Sequence, residues 1–122
     1  KNEVLTSYNS LNASAIAAFR QSQTNASSIE RAIELCSDAI ALQPHLPTAF
    51  INRGFFYANA NPQQRQRPEL AYADAFRAIH FARILNENCD EKQSQQAKQQ
   101  LFNVRFITHF NVINSIFLNI GP

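Results

Sequence analysis

An all-α domain of antiparallel helical hairpins is the fold class this sequence predicts, and three observations predict it. Gly is scarce, at 2 of 122 residues, and the Pro residues fall between apolar segments rather than within them. That pattern suits helices joined by short turns and argues against a β-sandwich or barrel. Apolar residues recur at three- and four-residue spacing, the period of one helix face. Finally, one small-residue pattern occurs twice: Ala32, Ile33, Cys36, Ala39 and Ile40 return as Ala71, Tyr72, Ala75, Ala78 and Ile79, 39 positions later.

The chain length fits a single domain, residues 1–122, and 45% hydrophobic residues provide a modest core. A net charge of +2 gives no electrostatic reason to expect nucleic acid or a membrane surface as partner. Asn and Gln together make up roughly a fifth of the residues, well above ordinary usage. The absence of Met at position 1 reads as the mark of a processed or trimmed product, which leaves cytoplasm or an organellar lumen or stroma as compartments.

The first helix is expected over residues 3–22, with Val4, Leu5, Tyr8, Leu11, Ala15, Ile16, Ala18 and Phe19 as its apolar stripe. Ser27 and Glu30 have the spacing of a capping box, so a second helix starts near Ser28 and runs to about Leu42. Its outer face carries Glu30, Glu34 and Asp38, a solvated acidic row with no histidine at ligand spacing. Pro44 ends that helix by forcing the preceding residue out of the α region. Pro47 then suits the first turn of a third helix over about 47–60. Residues 59–67 are a loop by composition, and Pro68 with Glu69 opens a fourth helix that reaches about Asn86.

A fifth helix is expected over about 90–119. Its first part, Glu91 to Gln100, is polar, whereas residues 101–120 are rich in Phe, Ile and Val. The apolar part has the length of a membrane span, but Arg105, His109 and four Asn residues interrupt it, at a cost that a bilayer interior would not tolerate. It reads as a capping or docking helix whose apolar faces meet this domain, a partner or a second copy of the chain.

The helix–proline turn–helix unit resembles the tetratricopeptide (TPR) family, whose period is about 34 residues. Phe50, Arg53, Gly54 and Tyr57 stand at the family's W-x2-L-G-x2-Y positions, and Ala32, Cys36 and Pro44 at its A-x3-F…P positions. Two repeat-like units result, about 13–46 and 47–85, with the extra residues placed in the 59–68 loop. In the first unit the family register sets Arg20 at the glycine position and Gln23 at the tyrosine position. The resemblance implies that Gly54 and the alanines at 32, 39, 71 and 78 let helices approach closely, while Phe50 and Tyr57 fill the space between hairpins. It further implies a concave partner-binding surface of Ala17, Gln21, Thr48, Ile51, Asn52, Phe55 and Asn59, joined by Phe106, Phe110 and Phe117 of the last helix. The family's two-carboxylate clamp does not carry over, since Asn52 alone matches it and Glu87 and Glu91 stand where basic residues belong.

The function these readings imply is a non-catalytic protein-interaction module that takes a peptide or a subunit of a larger complex. It needs no cofactor and no metal. His45, His80 and His109 lie on separate elements, and no phosphate loop or nucleophile elbow is present in the sequence. The two cysteines, Cys36 and Cys89, read as a buried small thiol and a helix-boundary thiol. Asn12 and Asn25 each head an N-glycosylation triplet, which matters only in a secreted chain. The alternative function is RNA binding, in which Arg65, Arg67, Arg77 and Arg83 act with the interleaved Tyr72, Phe76 and Phe81.

Overall fold

The computed structural model describes residues 2–24 and 28–87. They form four helices: α1 (Asn2–Ser22), α2 (Ser28–Leu42), α3 (Thr48–Ala58) and α4 (Pro68–Glu87). A single 3-10 turn, Gln63–Arg65, sits in the loop before α4. The helices pack as antiparallel pairs, α1 with α2 and α3 with α4. The expected fifth helix, Cys89, His109, Asn25 and Ser27 of the expected capping box lie outside the described residues.

Local chemistry accounts for the helix ends. Pro47 stands just before α3 rather than inside it, at φ −78° and ψ −23°, and its carbonyl accepts the Ile51 N–H at 3.0 Å. The Asn59 N–H closes the other end on the Phe55 carbonyl. Pro68 does open α4, and the Arg67 carbonyl accepts from both Leu70 and Ala71. At the far end of this loop, the Arg67 N–H donates to the Tyr57 carbonyl at 2.8 Å, which ties the loop back onto α3.

The two hairpins lie side by side with α1 and α3 parallel. Contacts run in step along both helices. The Tyr8 hydroxyl accepts the Ala49 N–H at 3.0 Å, and the Asn52 amide donates to Asn12 Oδ1 at 3.1 Å. Phe19 stacks on Phe56 and meets Phe55 edge-on. Beyond the helices, the Asn61 amide donates to the Gln23 carbonyl at 3.2 Å. Helix α2 packs against α3 as well, so it sits behind the α1–α3 pair.

Small residues fill the crossings. Ala15, Ala32, Cys36 and Ala39 in the first hairpin, and Ala71, Ala78 and Ala82 in the second, are fully buried. Their missing bulk allows close helix approach, in which many weak dispersion contacts add up. Gly54 is the tightest case. A Cβ there would stand 3.2 Å from Asp74 Cβ and 3.3 Å from the Ala71 carbonyl oxygen.

Three sequence expectations need correction. Val4 and Leu5 are exposed rather than inward. Helix α1 has 21 residues against 15 in α2, and Tyr8 already packs level with Ala39, so the first turn of α1 overhangs the end of its partner. Asn12 is buried within α1, donating to the Tyr8 carbonyl and accepting from Asn52, and offers no glycosylation site. Arg20 does not stand at a helix crossing, because it is exposed. The 39-residue offset that relates α4 to α2 instead carries Gly54 onto Ala15, which is fully buried beside Ala32 and Cys36.

Candidate functional site

Among the described residues, the candidate face is the side of α1 and α3 turned away from α2 and α4. Two kinds of chemistry line it. A polar seam joins the helices where Asn12 and Asn52 meet. Because Asn52 gives one N–H to Asn12, its other N–H and its carbonyl oxygen remain for a ligand. Farther along, Phe55 is half-buried with its edge against Phe19, and Asn59 turns its amide back onto the Phe55 carbonyl at 2.9 Å. An amide that can donate and accept beside a half-covered aromatic ring suits an extended peptide backbone with an apolar side chain.

The expected site residues divide into three groups. Thr48, Ile51, Asn52, Phe55 and Asn59 are all half-buried on α3. Of these, Ile51 packs toward the cluster around Phe50 and Ala78. Ala17 and Gln21 are exposed on α1, but lie well round the helix from Asn12 and Phe19, the residues that touch α3, given roughly 100° per residue. Phe106, Phe110 and Phe117 lie outside the described residues.

Sequence reasoning did not single out Asn9, Asn12, Ile16 and Arg20 of α1 as site residues; Asn12 accepts from Asn52 of α3, Ile16 is half-buried, and Asn9 and Arg20 are exposed. The signal that locates them was present. The 39-residue offset carries Thr48, Ile51, Phe55 and Asn59 of α3 onto these four positions, whereas the family period of about 34 points to Ala17 and Gln21 instead.

Behind this face lies an ionic lock, also missed. Asp74 is almost fully buried on α4 and accepts both Arg53 Nε and Nη2 at 2.8 Å, a bidentate pair. Arg77 adds a third donor at 3.1 Å, and Arg53 Nη1 reaches the Ser37 hydroxyl on α2 at 3.1 Å. The Arg53 guanidinium also lies against the rings of Phe50 and Tyr57. Its pKa is raised, first by the hydrogen bond to Asp74. Nearby, burial pushes the Cys36 thiol up to about 12, and burial likewise raises Tyr8 despite the Ala49 N–H that stabilises its phenolate. A thiol so disfavoured as thiolate is a packing group rather than a nucleophile.

The arginines of the RNA reading are mostly engaged within the chain. Arg65 pairs with Glu30, Arg67 donates to the Gln64 and Gln66 carbonyls, and Arg77 binds Asp74. Phe81 is half-buried, stacked on Phe50 and flanked edge-on by His45 and His80. Among the described residues no group of His, Cys, Asp and Glu is arranged to hold a metal ion, and no helix is long and apolar enough to cross a membrane. Comparison with protein-family models, with curated proteins and with solved structures returned no match.

Proposed function

We propose that this chain is a non-catalytic interaction module of TPR-like build, taking an extended peptide or a subunit segment of a larger complex along the α1–α3 face. The observation that carries this reading is the parallel packing of α1 and α3, held in step from Tyr8–Ala49 through Asn12–Asn52 to Asn61–Gln23. Parallel helices in adjacent hairpins form a continuous shallow face, and the first helices of TPR hairpins line such a face in the family that the sequence resembles. The ligand's backbone meets the Asn52 amide, and one apolar side chain settles against Phe55 and Ile16. Helix 101–120 is the second docking surface under this reading.

Selection of binders from a displayed library of unstructured peptides on the full chain tests the proposal. The selected peptides should lose about tenfold or more in affinity on Asn52→Ala, the scale of one or two hydrogen bonds at a partly buried site. Arg20→Ala should weaken acidic peptides more than neutral ones. Binders that tolerate both substitutions on a chain of unchanged thermal stability would place recognition elsewhere and refute the proposal.

A further inference from the structure

The polar seam between α1 and α3 has a built-in direction. Asn12 is buried, and its Nδ2 donates to the Tyr8 carbonyl at 3.2 Å. A carbonyl oxygen only accepts, so the Asn12 side chain turns its nitrogen toward Tyr8 and its oxygen toward α3. That oxygen also only accepts, and Asn52 of α3 meets it with Nδ2 at 3.1 Å. Turning either amide over would set like groups against each other in a part-buried place, at the cost of an unmade hydrogen bond. The Asn52 amide is thereby fixed, with its nitrogen on the α1 side and its oxygen on the side away from Asn12.

We propose that Asn12 is a positioning residue that sets the polarity of the bound peptide. The ligand's main chain crosses the face from α3 toward α1 in its N-to-C direction, and one ligand residue supplies both bonds to Asn52. This rests on the α1–α3 reading above and adds an orientation to it. The Asn52 oxygen takes a ligand N–H, and its nitrogen gives the remaining N–H to a ligand carbonyl. In an extended strand the N–H and C=O of one residue lie together on one edge, and the next N–H on that edge belongs to the residue two further on. The oxygen and nitrogen of a side-chain amide share one carbon, so the close pair matches them and the wider one does not. Within a residue the N–H precedes the C=O. The ligand therefore runs from the Asn52 oxygen toward its nitrogen, which is toward α1.

A ligand entering the other way brings its carbonyl onto the Asn52 oxygen. The amide cannot turn to suit it, because Asn12 is itself held by the Tyr8 carbonyl. Specificity for direction thus comes from a residue buried beneath the face, two hydrogen bonds back from the ligand's nearest anchor on α1.

Paramagnetic labelling on the full chain tests the direction. The probe is a library-selected peptide whose affinity falls on Asn52→Ala, carrying a nitroxide at its N-terminus or its C-terminus. The C-terminal label should broaden the α1 amides from Asn9 to Ala17, and the N-terminal label should leave them sharp. N-methylation of the peptide tests the pairing. At one peptide residue it should cost about tenfold against the wild-type chain and less than about threefold against Asn52→Ala. Asn12→Leu, of nearly the same shape, should shrink that penalty likewise, because the Asn52 amide is then free to turn. Reversed broadening would overturn the proposal, as would N-methylation penalties that ignore Asn52→Ala or stay whole in Asn12→Leu. In each of those cases the α1–α3 reading still stands on the Asn52→Ala loss. A library that yields no binder dependent on Asn52 would overturn both.

Discussion

The two hairpins solve one packing problem in different ways. In the first, α1 meets α2 through Ala15, Ala32, Cys36 and Ala39, all fully buried and none with a hydrogen bond to make at the crossing. In the second, α3 meets α4 through Gly54 and Ala78, and the same interface buries Asp74 against Arg53. An apolar crossing depends only on shape, and loses stability in proportion to volume error. A buried ion pair depends on having both members, because either one alone is an unpaired charge in a poor solvent. The second hairpin should therefore be brittle to charge and the first to volume.

The largest effect should come from removing one side of the lock. Arg53→Ala leaves the Asp74 carboxylate with only the Arg77 contact, and should cost about 3–5 kcal/mol by denaturant unfolding. Replacing both partners with apolar residues, Arg53→Met with Asp74→Leu, should recover most of that loss, because the charge is then gone rather than stranded. If the single and double variants unfold alike, the pair is not the brittle element.

Volume comes next. Ala39→Leu in the first hairpin should cost about 1–3 kcal/mol by overpacking. Ala78→Leu, at the matching place in the second, should cost a similar amount. Gly54→Ala is milder, since its Cβ would sit 3.2 Å from Asp74 Cβ and α4 must move by a few tenths of an ångström. It should nonetheless weaken the Arg53–Asp74 geometry, so that its cost shrinks in the Met/Leu double variant. Equal cost in both backgrounds would separate the glycine from the lock.

Much of this architecture was legible in the sequence. The four described helices lie close to where periodicity and proline placed them, because apolar stripes at helical spacing and Pro44, Pro47 and Pro68 are local signals. The alanine crossings were legible for the same reason, since small residues recur at one offset. The lock was not. Arg53 and Asp74 stand 21 positions apart, and nothing local distinguishes a buried Asp from a solvated one. Asp74 sits between Ala73 and Ala75 near two arginines, and in sequence it looks like dilution of a basic patch. The Asn12–Asn52 seam was hidden similarly, since a hydrogen bond across 40 positions requires the fold. For the expected binding surface, the family period of about 34 points to Ala17 and Gln21 on α1, whereas the chain's own offset of 39 points to Asn9, Asn12, Ile16 and Arg20.

The hairpins also differ in how they respond to pH. The Cys36 thiol is held near 12 in the folded chain against an ordinary value of 9.0. Its contribution to stability is complete below about pH 9 and is lost as pH rises toward 12, because the unfolded chain releases a proton that the folded chain keeps. The slope should approach about 1.4 kcal/mol per pH unit in that window. Tyr8, also raised by burial from its ordinary value of 10.0, acts in the same direction once pH passes that value. Cys36→Ala should flatten the first part of this alkaline limb. An unchanged limb would remove the buried thiol from the account. Smallest of all should be Glu30→Gln, which breaks the exposed pair with Arg65 and should change stability by less than about 1 kcal/mol.

The proposed binding face is presented by α1 and α3 together, with α2 and α4 as its support. Backbone amide chemical shifts of the full chain, followed during titration with a library-selected peptide, test it most directly. The largest shifts should fall on α1 between Asn9 and Arg20 and on α3 between Thr48 and Asn59, with the outer face of α2 silent. Shifts centred on the acidic face of α2, or on α4 with α1 unmoved, would contradict it.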